Sequence, residues 1–260
     1  MKAKMNFSPY RWLSFGMIWL GLGGMHAQAN GTAENNLETV AVLTRYDVKE
    51  SSREAFQQAL KSYVAMALMN DHNIMAEAYT EQEQPLVFWV IERWNSKAGF
   101  EGNAQLPPSQ KVDCLSENAL SKAAQRLYIK DLEPVSKKQW RTEAAGNDTP
   151  LTIMLFVDAH PGTEKRFQQV YHAAMPRFRG EPGVINYQLS QLADDSTRFV
   201  TYEKFRSEEA FQYHLNYPPI QPVIDYLNTS IRQQPFQKGL HRLIAVPETD
   251  SRIRIHTSKN

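Results

Sequence analysis

The sequence predicts an α+β protein: two tandem ferredoxin-like units packed on each other as an intrachain pseudo-dimer. Three observations carry this. The first is an internal repeat, in which Phe56-Gln57-Gln58 returns as Phe167-Gln168-Gln169, Glu92 as Glu203, Ser96 as Ser207, Phe100 as Phe211 and Pro107-Pro108 as Pro218-Pro219, each pair 111 residues apart. A period this long marks duplicated small domains rather than a solenoid of short units. The second is the order strand, helix, strand, strand, helix, helix, strand in both copies, which is a ferredoxin-like unit with extra helical length before its last strand. The third is a burial requirement. A four-stranded antiparallel sheet with helices on one face leaves its other face bare, and two such sheets set face to face cover both.

The first copy is expected to run as strand Thr39 to Asp47, helix Arg53 to Leu68, strands Ile74 to Tyr79 and Leu86 to Trp94, helices Ser96 to Asn103 and Ser116 to Arg126, and strand Leu127 to Leu132. The second copy gives the reasons most clearly. Leu151 to Val157 is apolar and β-branched enough for a strand, and Asp158 to Gly162 turns the chain, with Pro161 suited to a first helical position. Phe167, Val170, Tyr171, Ala174 and Phe178 then recur at helical spacing until Gly180 and Pro182-Gly183 stop the helix. Val184 to Leu192 and Arg198 to Phe205 form a hairpin around Ala193-Asp194-Asp195-Ser196. Ser207 fits an N-cap, with Glu208 and Glu209 where the helix dipole favours anions. Pro218-Pro219 breaks the chain, Ile220 to Ile231 is a further helix, and Leu240 to Val246 closes the unit.

The copies thus occupy residues 37–134 and 150–247, joined by a polar linker at 135–149 and followed by a flexible tail at 248–260. The basic cluster Lys137-Lys138-Gln139-Trp140-Arg141 reads as solvated linker. Residues 1–29 read as a Sec-type signal peptide: Lys2, Lys4 and Arg11 precede an uncharged apolar run from Trp12 to Gly24, and Ala27-Gln28-Ala29 makes a small-x-small cleavage site. An uncleaved N-terminal anchor is the alternative. The expected mature protein starts at Asn30, is periplasmic or secreted, and has no stable membrane insertion.

A net charge of +1 provides no field to attract nucleic acid or an anionic membrane. Cys114 is the single cysteine, so no intrachain disulfide is available. It is expected to be a buried or inert thiol, with a covalent dimer bridge or a reactive thiol as alternatives. No metal-binding Cys/His spacing, His-Glu-x-x-His, Gly-x-Gly-x-x-Gly or Gly-x-Ser-x-Gly occurs, so zinc, dinucleotide and serine-hydrolase chemistry have no motif support.

A Pro-Gly before a strand in Gly180-Glu181-Pro182-Gly183-Val184, a strand ending in Glu203-Lys204-Phe205, and Ser207, Phe211 and His214 on the next helix resemble the antibiotic-biosynthesis monooxygenase family of the dimeric α+β barrel superfamily. The resemblance covers most of the second copy, and the first through its alignment to the second. It implies that the pseudo-dimer is a β-barrel. It also implies a cofactor-independent oxidation of a small aromatic or quinol-like molecule by molecular oxygen, in a dry pocket with a base and an oxyanion donor. A branch of the family degrades haem.

On this resemblance His214 is the expected base or proton shuttle and Glu203 its orienting partner, with Tyr187, Tyr202, Tyr213 and Phe205 lining the substrate pocket. Structural roles stand beside each assignment: a core-edge histidine, an ion-paired glutamate, packing tyrosines. Phe167, Phe199 and Phe211 are expected in the core and His172 at the surface. The first copy carries Asn103 for His214, Gly102 for Tyr213 and His72 for Gly183, and gains Trp89 and Trp94, so activity is expected in the second half. A catalytically silent protein holding an apolar ligand or partner in the same cavity is the competing expectation, and a haem-binding protein a lesser one. Neither copy holds a complete Asn, Trp and His set for haem.

Overall fold

The computed structural model of the protein describes residues 39–233 and 236–247. The expected signal segment and C-terminal tail lie outside the described residues. The first unit comprises β1 (Val40–Asp47), α1 (Arg53–Met69), β2 (Asn73–Glu81), β3 (Val87–Trp94), α2 (Lys97–Ala104), α3 (Pro107–Ala119) and β4 (Gln125–Leu132). After a short helix α4 (Lys137–Trp140), the second unit repeats the plan with β5 (Leu151–Asp158), α5 (Glu164–Arg179), β6 (Val184–Leu192), β7 (Arg198–Phe205), α6 (Glu208–Asn216), α7 (Gln221–Thr229) and β8 (Leu240–Ala245).

The strands close into one antiparallel barrel in the order β1-β3-β2-β8-β5-β7-β6-β4. The last strand of each unit makes the closure. β4 pairs with β1 of its own unit and with β6 of the other, while β8 pairs with β5 and crosses to β2. The two sheets therefore join edge to edge as well as facing each other, which leaves no open strand edge. Because strand side chains alternate, each strand feeds two cores. Phe199 and Phe205 of β7 pack under the helices of the second unit, whereas Val200 and Tyr202 point into the barrel with Trp89, Ile91 and Met154. A third core lies under the helices of the first unit, around Phe56, Leu60, Phe88 and Trp94.

The duplication is visible in compensated packing. A Cβ built on Gly183 would stand 2.5 Å from the Ala210 Cβ. At the same offset the first unit has His72 against Gly99, where the Cβ of a larger residue at 99 would collide with His72. Each unit keeps one small residue at this approach of turn and helix, but not the same one.

Several expectations are corrected. The helix expected at Ser116 to Arg126 begins earlier, at Pro107, because proline at the first helical turn gives up only an N–H that would lack a partner there anyway. That helix accordingly ends at Ala119, and Arg126 belongs to β4 rather than to a helix. Pro161 lies in the turn before α5, which starts at Glu164. The inter-unit linker is not simply solvated. Ser136 and Gln139 form a capping box that starts α4, and this plants Trp140, 3% exposed, against the barrel. The Arg93 guanidinium lies 3.9 Å from the centroid of the Trp140 ring and is held by Asp131 at 2.6 and 2.9 Å. Cys114 is exposed because Ser109, Val112 and Ala119 form the inward face of α3. Among the described residues no helix is long and apolar enough to cross a membrane.

Candidate functional site

His214 sits in the last turn of α6, a helix started by Ser207, whose hydroxyl accepts a hydrogen bond from the Ala210 N–H at 3.3 Å. The imidazole is 1% exposed and walled by the rings of Phe178, Phe205 and Tyr187 at centroid distances of 4.8, 5.3 and 5.3 Å. Its Nδ1 lies 2.8 Å from Glu181, not Glu203. The expected orienting partner is therefore replaced: Glu181, on the turn before β6, lies nearer in space because that turn folds over the end of α6. Glu203 instead accepts from the Thr201 hydroxyl at 2.6 Å and the Tyr187 hydroxyl at 3.0 Å. Burial raises its pKa, with the His214 charge and these two bonds acting against the rise. Tyr187 is pushed well above the ordinary tyrosine value by burial and by the Glu203 charge.

His214, Glu203, Tyr187 and Phe205 thus meet in one cluster. Tyr202 does not join them, since it points from the opposite face of β7 into the barrel, where its hydroxyl lies 2.8 Å from that of Tyr79 and donates to Glu77 at 2.6 Å. Lys204 beside it pairs with the same Glu77 at 3.0 Å. Tyr213 is 54% exposed and stacks on Tyr217. His172 is exposed as expected and pairs with Glu133. At 1% exposure and with Nδ1 on Glu181, His214 has no open approach for an external ligand. Among the described residues no group of three or more His, Cys, Asp or Glu is placed to hold a metal ion.

A cavity beside the equivalent glutamate lies in the other half. Between the sheet and helices of the first unit lies a cavity of about 260 Å³, lined by Tyr46, Tyr63, Glu92, Phe100, Ser109 and Arg126 among others. Glu92, 2% exposed, accepts from Tyr63 Oη at 2.7 Å and from Trp94 Nε1 at 3.3 Å. Burial raises its pKa to about 7, against the lowering effect of those two bonds and of the Arg126 charge. A carboxylate near neutrality at a cavity wall can take up and return a proton under ordinary conditions.

The repeat explains why the space beside Glu92 has no counterpart beside Glu203. At the 111-residue offset Thr44, Ala104 and Ser109 become Leu155, Leu215 and Ile220, so the second unit fills with side chains the volume that the first leaves empty. Tyr63, which holds Glu92, becomes Ala174, and Glu203 is reached by Tyr187 instead. His214 lies in the other unit and gives no sign of this cavity. The available signal was the change in side-chain size between the copies around a glutamate that both retain.

The model of the family described as antibiotic biosynthesis monooxygenase matches the chain twice, at residues 39–112 and 150–225. Among solved structures, a protein named as a monooxygenase candidate from Lactobacillus acidophilus NCFM is similar with a TM-score of 0.66 at 11% identity, over 80% of this chain and 94% of that one. Another from Fusobacterium nucleatum is similar with a TM-score of 0.67 at 13% identity, over 80% and 92%. A structure named anthrone oxidase-like protein gives a TM-score of 0.52 at 8% identity, over 81% and 94%. At these identities the likeness is one of fold. No curated protein matches the sequence. The two family matches fall one on each half of a single closed barrel, and on that basis the chain belongs to the antibiotic biosynthesis monooxygenase family, with two of its domains in tandem.

Proposed function

We propose that the protein is a monooxygenase-like enzyme that oxidises a small aromatic or quinol-type molecule with molecular oxygen in the first-unit cavity, using Glu92 as proton acceptor. The observation that carries this is the buried Glu92 carboxyl, whose pKa burial raises to about 7, facing a cavity of about 260 Å³. A phenolic or activated C–H proton passes to Glu92, and the resulting carbanion-like substrate donates electrons to oxygen. One oxygen atom enters the substrate as a carbonyl, and the other leaves as water together with the two hydrogens removed. Arg126 at the cavity mouth favours the anion electrostatically. Family membership supports the reaction class, and the name of the anthrone oxidase-like structure agrees with the substrate class. The second unit, with His214 enclosed, completes the barrel and holds the first in place.

The protein is further proposed to act in the periplasm or outside the cell after cleavage following Ala29. N-terminal sequencing of the exported protein should then begin at Asn30. Oxygen uptake with a panel of hydroquinones and anthrones tests the chemistry. Glu92→Gln should lower turnover at least about 100-fold, in the range expected for loss of a general base, while His214→Ala should retain it. No turnover of any member of the panel, or an undiminished Glu92→Gln enzyme, would overturn the reading.

A further inference from the structure

Where β2 meets β8 at one end of the barrel, a buried carboxylate faces a histidine. His241 Nδ1 lies 3.2 Å from Glu81 Oε1, and Trp89 Nε1 donates to the same oxygen at 2.8 Å. The imidazole packs edge-on against Trp89 and Phe156. Glu81 is 4% exposed, yet its pKa is lowered: burial acts to raise it, and the bonds from His241 and Trp89 together with the His241 charge outweigh that. An ionised Glu81 holds the proton on Nδ1 and so leaves Nε2 as an acceptor. Among the described residues Nε2 has no bonding partner. The pair borders a cavity of about 470 Å³ whose wall also includes Glu83, Phe211, Leu215, Lys238 and Arg242, the last lying 5.2 Å from the centroid of the Phe211 ring and paired with Glu208 at 2.6 Å.

The opposite end of the barrel is an internal control. There β4 meets β6 in the equivalent register, Leu192 opposite Ile129 as Glu81 is opposite Leu243. The residues that stand for Glu81, Trp89 and His241 at that end are Leu192, Val200 and Leu127. At this rung of the seam, closure therefore requires no polar group, although Asp131, two residues along β4, bonds Ser190 and Arg93, and burying an ion pair in place of apolar residues is often neutral or unfavourable for stability. The polar set at one end has another use.

We propose that Glu81 and His241 form a second binding site, distinct from the Glu92 cavity, for a small hydroxyl-bearing aromatic molecule whose O–H donates to His241 Nε2. The ring lies on Phe211 and Leu215. When the proton transfers, the ligand O–H bond breaks and Nε2 is protonated. The Nδ1 proton stays on the imidazolium facing Glu81, and the negative charge remains on the ligand oxygen near Lys238, Arg242 being already paired with Glu208.

The probe is p-nitrophenol, whose ionisation is read from its visible absorbance, added to the full protein in a Glu92→Gln background so that the first-unit cavity has lost its acceptor. Saturable binding with a phenolate spectrum below the free phenol's own pKa is expected. It should weaken at least about tenfold in Glu81→Gln, and vanish in Glu81→Leu/Trp89→Val/His241→Leu, which copies the other end of the barrel and whose folding is checked by a cooperative thermal transition. Wild-type protein gives a readout that needs no variant to fold: the His241 Cε1–H resonance should shift on titration. Absence of saturable binding, equal binding by the triple variant, or an unmoved His241 resonance would overturn the site. Each of these outcomes is independent of oxygen uptake.

Discussion

Glu92 and Glu203 occupy equivalent positions on equivalent strands, yet their surroundings give them different chemistry. Glu92 looks into space, and its burial has a cost that pH should reveal. Its folded-state pKa of about 7 lies above the ordinary carboxyl value of 4.5. The contribution is thus fully present below about pH 4.5 and is lost as pH rises through 7. Glu92→Gln should therefore be more stable than wild type at pH 8, by up to about 3 kcal/mol at roughly 1.4 kcal/mol per pKa unit, with the advantage vanishing near pH 4; urea titrations at the two pH values would measure this. Tyr63→Phe removes a bond that favours the ionised carboxylate, so the pH midpoint of oxygen uptake should move to higher pH while thermal stability changes little. An unshifted midpoint would show that Tyr63 does not tune Glu92. The sequence marked both glutamates through the repeat. It could not show which one faces a cavity, because that depends on the volumes of Leu155, Leu215 and Ile220, which reach the site from three separate elements.

Elements were more legible than their sites. The hairpin β6–β7 falls where alternation and the Ala193 to Ser196 turn put it, and Ser207 caps α6 as its type and position require. The errors are local rules applied in the wrong place. The helix expected from Ser116 begins at Pro107, since a helix can start on proline, and Trp140 read as linker because its burial depends on Arg93 and β2, far away in sequence. The approach of the β6 turn to α6 gives a direct test of packing. Gly183→Ala should destabilise the protein by about 1–3 kcal/mol through overpacking against Ala210. Adding Ala210→Gly should restore most of that loss, as the His72 and Gly99 pair already does in the first unit. Chemical denaturation of the single and double variants measures the coupling, and additive losses would contradict it.

At the scale of the whole molecule, the two units cannot be stable bodies on their own, because β4 and β8 each complete a seam with the other half. Calorimetry of the chain should give one cooperative transition, and two resolved transitions would show independent domains. A fragment of residues 37–141 has unpaired edges on β2 and β4, so it should sediment as a dimer that rebuilds the barrel with a second copy of itself. The sequence by itself determined the duplication, the order of elements in each copy and the family. These follow from periodicity, turn chemistry and motif spacing, all of which act over a few residues or repeat at one fixed offset. Tertiary structure alone decided that Tyr202 faces the barrel rather than His214, that Glu181 and not Glu203 meets that histidine, and that the cavity opens beside Glu92. It also decided that Glu81 and His241 face each other across the seam. Each of these depends on which side chains, distant along the chain, fill or leave empty the same volume, and side-chain packing is fixed only when the barrel closes.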